Sequence, residues 1–199
     1  MSLVSLVSGG IDSTLMAILA KEEGIPQSPL FINYGQICAE REMKACLDLH
    51  KRFGLPVPAI MDVSGFGQLI ASGLTNPDMR VYEDAFLPGR NLLFLLAGAA
   101  YAYQTGSNAV AIGLLSEETH LFPDQTAEFL ENTGQLVSLA MGRRITVVAP
   151  LMRFTKMDVI ELARQKGITG TYSCHAGTES PCGICVSCRE AKKALEGGI

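Results

Sequence analysis

Apolar residues fall into two kinds of run along this chain: short blocks of branched and aliphatic residues, and longer stretches in which apolar positions recur every three or four residues. The short blocks predict buried β-strands, and the longer stretches predict helices. The predicted strands are Leu3–Val7, Pro29–Tyr34, Val57–Val63, Ala109–Leu115 and Ile145–Leu151. The predicted helices run over about Asp12–Glu23, Ala39–Phe53, Arg90–Gln104, Pro123–Met141 and Thr155–Lys166.

Strands and helices alternate regularly in this pattern. Strands separated by helices of this length predict an α/β fold, with a doubly wound, mainly parallel five-stranded sheet and helices on both faces. The stretch between residues 64 and 88 is rich in glycine and proline, so it predicts a loop with one helical turn. Ligands bind such a sheet at the carboxyl ends of its strands, and the polar clusters at those ends are therefore the candidate site.

Composition narrows the class of protein. The 199 residues are 48% hydrophobic and 18% charged, which suits a folded domain with a sizeable core. We expect a main domain over residues 1–168 and a small C-terminal segment over residues 169–199 within the same structural unit. The formal net charge of −4 argues against sequence-independent binding of nucleic acid, so no stable nucleic-acid partner is expected. The first residues show no secretory leader pattern and the most apolar stretch, residues 91–103, is too short for a bilayer, so we expect a cytoplasmic protein without membrane contact.

The first predicted strand leads through two glycines into a helix. Backbone N–H groups at such a turn converge at the positive end of the helix dipole, which predicts an anion site, most naturally for phosphate. The turn lacks the lysine of the ATPase P-loop pattern and the spacing of the dinucleotide fingerprint. A glycine turn into a capped helix, without a ligand, is the alternative. The residues of the predicted phosphate loop are Ser8, Gly9, Gly10, Asp12, Ser13 and Thr14.

Cysteines crowd into the C-terminal segment with the spacing C-x7-C-x2-C-x2-C. Thiolates at this spacing, brought around a turn at Gly183, predict a tetrahedral Zn²⁺ site. Four protein ligands leave no open position for water, so the ion would be structural. An iron–sulfur cluster also takes four thiolates and is the alternative metal group. The predicted ligands are Cys174, Cys182, Cys185 and Cys188.

Two residues near these motifs receive no chemical role from the pattern. Cys46 is interpreted as a buried small apolar residue of a helix. His175 is interpreted as a loop residue rather than as a fifth ligand or a base.

The segment SGGIDS after the first strand resembles the pyrophosphate-binding loop of the N-type ATP pyrophosphatases, also called PP-loop proteins. Together with NYGQ, LPGRN, FPDQTAEF, PLMRFTK and the cysteine-rich tail, in this order, it makes nearly the whole chain similar to the 7-cyano-7-deazaguanine synthase family. The resemblance implies the adenine nucleotide alpha hydrolase-like fold of the HUP type, with ATP and Mg²⁺ as cofactors. It also implies a ligase that forms C–N bonds: 7-carboxy-7-deazaguanine and ammonia become the nitrile through an acyl adenylate and an amide, and AMP and pyrophosphate are released. Members of this family are often dimers, so a homodimer is expected.

The resemblance further implies roles for particular side chains. The phosphate loop would hold pyrophosphate, with Asp12 as the ligand of Mg²⁺. The adenosine would lie at the end of the second strand, at Tyr34, Gly35 and Gln36. The catalytic residues would be Asp12, Arg90 and Lys156. The substrate would be bound by Arg90, Asn91, Asp124 and Glu128.

The chain departs from the family pattern around the predicted substrate pocket. Ile37 and Cys38 stand where the family usually has arginine and histidine, and Gln125 and Thr126 replace its cysteine and arginine. Residues 117–120 differ from the family pattern as well. These differences leave two alternatives: a related ligase that transfers an adenylated carboxylate to a different amine and stops at the amide, and a nucleotide-binding regulator without turnover.

Overall fold

The computed structural model describes residues 1–116 and 121–196, and within them five parallel strands form one sheet. The strands are β1 (Leu3–Val7), β2 (Leu30–Asn33), β3 (Ala59–Asp62), β4 (Ala109–Ala111) and β5 (Thr146–Val148). Their order across the sheet is β3-β2-β1-β4-β5. The chain winds outward from β1 to one edge and then from β4 to the other, which confirms the predicted doubly wound sheet. The two directions part between β1 and β4, where a crevice opens at the carboxyl ends of the strands.

Helices cover both faces of the sheet. They are α1 (Ile11–Glu22), α2 (Ala39–Arg52), α3 (Gly65–Leu69), α4 (Arg90–Thr105), α5 (Ala127–Met141), α6 (Lys156–Gln165) and α7 (Val186–Glu196). The predicted helices are confirmed apart from the start of α5, and α3 is the one helical turn expected between residues 64 and 88. None of the helices in the described ranges combines the length and hydropathy that a membrane span requires.

The strand β1 is the centre of the core. All of its residues are buried, as the central strand of a sheet covered on both faces requires. Leu3 and Val7 belong to the core that α1, α2 and α6 complete, whereas Val4 and Leu6 belong to the core that α4 and α5 complete. This alternation fixes the register of β1, so the residue after Val7 always leaves the sheet at the same place.

The prediction of one continuous helix over 123–141 is wrong at its first turn. Pro123–Gln125 form a separate 3₁₀ turn, and Thr126 is extended, with φ −93° and ψ 159°. The Thr126 hydroxyl accepts a hydrogen bond from the Phe129 N–H at 3.1 Å and so caps α5 from outside the helix. Asp124 therefore precedes the helix instead of lying in its first turn.

The helix α7 was not predicted from the sequence. Its eleven residues are too few for a stable isolated helix, so its stability comes from packing against α6. The segment before α7 also returns to the main body, because the Tyr172 N–H donates to the Gly9 carbonyl at 2.9 Å. The division at residues 168 and 169 stays a prediction. Residues 117–120, whose sequence departs from the family pattern, lie outside the described residues.

Candidate functional site

The loop between β1 and α1 is ordered by its own hydroxyl groups. The Ser8 N–H donates to the Ser13 Oγ at 3.1 Å, and the two serine hydroxyls lie 3.0 Å apart. The Gly10 N–H donates to the Ser8 Oγ at 3.3 Å. Gly10 is the N-cap of α1 but offers no side-chain cap, so the first N–H groups of that helix point at the crevice without a side chain in front of them. The loop thus has the form of the predicted anion site.

Gly9 allows the loop to pass directly beneath α2. Its φ of +79° is in the left-handed region that favours glycine. A Cβ at this position would lie 2.5 Å from the Glu42 carbonyl oxygen and 2.6 Å from the Cys46 backbone nitrogen. Neither the backbone conformation nor the available space therefore admits a side chain, and the loop is held between α2 on one side and Tyr172 on the other.

Lys156 and Asp12 form an ion pair beside the loop. The Lys156 Nζ donates to both Asp12 carboxylate oxygens at 2.8 Å, and the lysine side chain is only 10% exposed, against 30% for the aspartate. The pair joins the first turn of α1 to the first turn of α6 across the end of the sheet. Glu190 of α7 also faces this pair: burial raises its pKa, the charge of Lys156 lowers it and that of Asp12 raises it.

A cavity of about 220 Å³ opens next to the loop, at the ends of β1, β2 and β4. Its apolar lining comes from Leu6, Val7, Leu30, Ile32, Phe94, Ile112 and Leu114. The polar residues that line it are Ser8, Asp12, Ser13, Tyr34, Gln36, Glu42, Arg90, Asn91 and His175. The structure therefore brings the phosphate loop, the end of β2 and the start of α4 together around one space, as the sequence predicted.

The end of β2 is fixed by a network around Gln36. The Gln36 Oε1 accepts from the Tyr34 N–H at 2.9 Å, and its Nε2 donates to the Glu42 Oε2 at 3.0 Å. Gly35 lies in the turn, with φ +88°, and does not line the cavity. Arg90 lies over the rings of Tyr34 and Phe94, 5.9 Å from each centroid, so its guanidinium is held at the cavity by aromatic faces.

Glu42 is a cavity residue that the motifs did not identify. Burial raises its pKa, while its hydrogen bonds with Gln36 and Cys38 and the charge of Arg90 lower it, with burial the largest effect. A sequence signal existed, because Glu42 lies four residues before Cys46, which was correctly predicted to be buried, and so on the same face of the helix. The titratable and charged groups that face its carboxyl are Tyr34, Cys38, Cys46, Arg90 and Tyr172.

His175 is a second polar residue of the cavity with no predicted role. It is a loop residue, as predicted, but its ring lines the cavity. Within the described residues, its buried Nδ1 has no hydrogen-bond partner. Burial and the nearby charges of Arg90 and Lys156 lower the pKa of His175 to about 4, so the ring is neutral.

Two predicted substrate residues lie outside this cavity. Asp124 is tied to the start of α4: its Oδ2 accepts from the Asn91 N–H at 3.4 Å, and its backbone carbonyl accepts from the Asn91 Nδ2 at 2.9 Å. Glu128 is exposed on α5. Neither lines the cavity, whereas Asn91 does, so substrate roles for Asp124 and Glu128 stay predictions.

The positions that depart from the family pattern have local structural roles. The Gln125 Oε1 accepts from the N–H groups of Leu121 and Phe122 at 2.9 and 3.0 Å, and Thr126 caps α5. Cys38 is buried beside Glu42, which accepts a hydrogen bond from its thiol. None of these side chains replaces a basic group at the cavity.

The four cysteines of the C-terminal segment converge as predicted. Their sulfur atoms lie within 4.8 Å of one another. Four sulfurs about 2.3 Å from a tetrahedral Zn²⁺ would lie about 3.8 Å apart, so the arrangement fits such an ion with small adjustments. Gly183, with φ +75°, forms the expected turn directly after Cys182, within the segment that carries the last three ligands. Burial raises the pKa of Cys174, but hydrogen bonds with Thr178 and with backbone N–H groups lower it to about 6, whereas burial raises the pKa values of Cys185 and Cys188. Metal binding would therefore displace protons from the latter two thiols.

Comparison with known proteins decides the family. The model of the family described as "Queuosine biosynthesis protein QueC" matches residues 2–198. The chain is a member of the QueC family. QueC relatives include the 7-cyano-7-deazaguanine synthase of Nautilia profundicola, 33% identical over 205 residues that span 97% of this chain and 92% of that protein. The enzyme of the same name from Methanothermobacter thermautotrophicus is 31% identical over 212 residues, 98% of this chain and 95% of that protein.

Solved structures that are less than 20% identical to this chain share its fold. NMN synthetase from Francisella tularensis matches with a TM-score of 0.57 at 18% identity, over 98% of this chain and 77% of that one. The U34-tRNA thiolase NcsA from Methanococcus maripaludis, solved with its 4Fe-4S cluster, matches with a TM-score of 0.59 at 17% identity, over 99% of this chain and 71% of that one. The QueC fold is thus shared with proteins of other names, and the site decides between their chemistries.

Proposed function

We propose that this protein is an ATP-dependent 7-cyano-7-deazaguanine synthase that forms the nitrile from 7-carboxy-7-deazaguanine and ammonia. The substrate carboxylate attacks the α-phosphorus of ATP, pyrophosphate leaves and an acyl adenylate forms. Ammonia then attacks the acyl carbon, AMP leaves and the amide forms. The amide oxygen attacks the α-phosphorus of a second ATP and pyrophosphate leaves. The adenylated amide then loses AMP from carbon and its two protons from nitrogen, which gives the nitrile. Membership of the QueC family supports this reaction. The meeting of the phosphate loop, Asp12 and Arg90 at one cavity, with Lys156 paired to Asp12 beside it, carries the assignment to these residues.

Activation of a poor leaving group is the physical purpose of each adenylation. An oxygen of a carboxylate or an amide does not leave at neutral pH, whereas AMP does. The protein then has to position reactants and stabilise charge, and needs no covalent nucleophile. This matches a cavity whose polar groups are amides, hydroxyls, carboxylates and cations.

The phosphate loop would hold the departing pyrophosphate. The first N–H groups of α1 and the hydroxyls of Ser8 and Ser13 would supply donors, with the helix dipole behind them, whereas Thr14 is buried in the first turn of α1 and does not line the cavity. Asp12 fits Mg²⁺, which binds proteins through one or two carboxylates together with substrate phosphates, and the ion would neutralise charge on the pyrophosphate. Lys156, oriented by Asp12, would neutralise the charge that develops on the α-phosphate.

The remaining cavity residues would bind the two organic groups. Tyr34 and Gln36, together with the turn at Gly35, would contact the adenosine of ATP. Arg90, which can bind a carboxylate or a phosphate through two parallel N–H bonds, would hold the reacting groups together, with Asn91 beside it. Asp124 and Glu128 would contribute from α5 and the turn before it if the substrate extends past the rim of the cavity.

The cysteine cluster would hold one structural Zn²⁺. Four thiolates leave no position for water, so the ion would stabilise the C-terminal segment and take no part in the reaction. Metal analysis of the purified protein separates zinc from iron, and the visible absorption of an iron–sulfur cluster would contradict the zinc assignment.

Product analysis tests the proposed function. The protein is incubated with ATP, Mg²⁺, ammonium and 7-carboxy-7-deazaguanine, and AMP, amide and nitrile are measured by mass spectrometry. We expect nitrile from the natural protein and from Asp48→Asn, an exposed change on α2, but none from Asp12→Asn. An amide that accumulates without nitrile would favour the related ligase, for which the missing basic groups at Ile37 and Cys38 are the supporting observation. ATP binding without release of AMP would favour the regulator and refute the proposal.

A further inference from the structure

Amide formation at this site needs a proton acceptor. Near neutral pH ammonia is present mostly as ammonium, which has no lone pair with which to attack an acyl carbon. A group within reach of the acyl adenylate that removes a proton from ammonium would supply the nucleophile where it is needed, and a carboxylate can both attract the cation and take its proton.

Two carboxylates line the cavity within the described residues, those of Asp12 and Glu42. Both oxygens of Asp12 accept hydrogen bonds from the Lys156 Nζ, so that group is already committed to a cation and, with ATP bound, to the phosphates. Glu42 has no cationic side chain in hydrogen-bond contact among the described residues. Its Oε2 accepts from a neutral amide, that of Gln36, at 3.0 Å.

The surroundings of Glu42 hold its carboxyl in place. Gln36 is itself anchored, because its side-chain oxygen accepts the Tyr34 N–H and its nitrogen also donates to the Ile32 carbonyl at 3.4 Å. A Cβ on Gly9 would lie 2.5 Å from the Glu42 carbonyl oxygen, so α2 runs directly past the phosphate loop and Glu42 lies next to it. Such fixed geometry is what a catalytic base requires.

We propose that Glu42 is the catalytic residue that binds ammonium and accepts its proton for amide formation. This inference rests on the proposed synthase function. The Glu42 carboxylate takes one proton from ammonium and becomes a carboxylic acid. The nitrogen lone pair attacks the acyl carbon, the C–N bond forms and the bond from the acyl carbon to the AMP oxygen breaks. The second proton lost by nitrogen leaves on the phosphate of AMP, and Glu42 returns its proton to water.

Burial supports this role. It raises the pKa of Glu42 above the ordinary value for glutamate, and a base whose pKa is closer to the working pH takes a proton more effectively.

The test compares two nucleophiles. Hydroxylamine is mostly uncharged at neutral pH and forms a hydroxamate from an acyl adenylate without a base, so it bypasses Glu42. For Glu42→Gln we expect amide formation from ammonium to fall about 100-fold, in the range typical of a lost general base, and hydroxamate formation to change less than about threefold. Glu40→Gln, on the exposed side of the same helix, is the matched control and should change neither rate. Glu42→Asp, which keeps a carboxylate, should recover part of the rate with ammonium.

Isotope exchange between pyrophosphate and ATP separates the two hypotheses. Exchange that depends on 7-carboxy-7-deazaguanine reports adenylation alone and should survive in Glu42→Gln. If the natural protein shows no such exchange, the proposed function fails. If exchange is present and Glu42→Gln uses ammonium as well as the natural protein does, the role of Glu42 fails. Equal losses with ammonium, with hydroxylamine and in the exchange reaction would also overturn it, because Glu42 would then act in folding or adenylation.

Discussion

Replacement of Gly9 by alanine tests whether the close contact between the phosphate loop and the backbone of α2 stabilises the protein. An L-residue in the left-handed region costs about 1–2 kcal/mol. The added Cβ would also lie 2.5 and 2.6 Å from two backbone atoms of α2, which cannot rotate away as a flexible side chain would. Forcing extra atoms into a filled site costs about 1–3 kcal/mol more. Gly9→Ala should therefore lower the free energy of unfolding by about 2–5 kcal/mol.

Gly24→Ala is the matched control. Gly24 has φ +66°, similar to Gly9, but a Cβ there would meet no atom within 4 Å. Gly24→Ala should lower the free energy of unfolding only by the cost of the backbone conformation, about 1–2 kcal/mol, and the variant should still bind ATP. Urea unfolding gives both free energies, and calorimetric titration with ATP gives the binding. Equal destabilisation of Gly9→Ala and Gly24→Ala, within about 0.5 kcal/mol, would show that the contact with α2 has no energetic consequence.

Three further changes test other contacts of the site. Lys156→Met leaves the partly exposed Asp12 carboxylate without its cation, so it should lower the free energy of unfolding by about 1–3 kcal/mol and abolish pyrophosphate release. Lys192→Met removes an exposed ion pair and should lower the free energy of unfolding by less than about 0.5 kcal/mol. Equal unfolding midpoints of the two variants would contradict this prediction. Cys185→Ser should reduce bound zinc, measured by plasma mass spectrometry, to well below one ion per chain, and full retention of zinc would show that this thiol is not a ligand. The raised pKa of Glu42 means that the folded state binds a proton more tightly than the unfolded state. The stability of the natural protein relative to Glu42→Gln should therefore fall as pH rises from about 4.5 through the pKa of the folded state, by at most about 1.4 kcal/mol per pH unit. A stability difference that stays constant with pH would contradict the raised pKa.

The sheet and the phosphate loop could be predicted because their signals are local. Each strand is a short apolar block between turn residues, and alternation with helices leaves few arrangements other than a doubly wound parallel sheet. Two further features depend on spacing within one short segment: the loop at Gly9 and Gly10, and the cysteine array. In the structure the loop forms the expected glycine turn, and the four cysteine sulfurs converge on one point. The edges of elements were less predictable, since β4 and β5 end three or more residues earlier than their apolar runs, at Ala111 and Val148.

The parts that the sequence did not predict depend on contacts between distant segments. The break before α5 arises because Thr126 caps the helix, although Pro123 and Asp124 also suit a helix start and gave the stronger signal. The helix α7 exists through packing on α6, which no local pattern describes. Glu42 and His175 belong to the cavity because α2 and the cysteine-rich segment are folded over the end of the sheet, and neither residue lies in a phosphate-binding or metal-binding motif.

The same contacts explain how a metal centre can serve a reaction in which it takes no part. The backbone N–H of His175 donates to the Cys185 sulfur, while the His175 ring lines the cavity. Tyr172, two residues before the first ligand, holds the Gly9 carbonyl, and Glu190, two residues after the last ligand, faces Lys156 and Asp12. A short segment with little core of its own can keep these three contacts in place only if something fixes its backbone, and four bonds to the proposed ion would do so. The cysteine cluster is therefore best understood as the support of one wall of the candidate site.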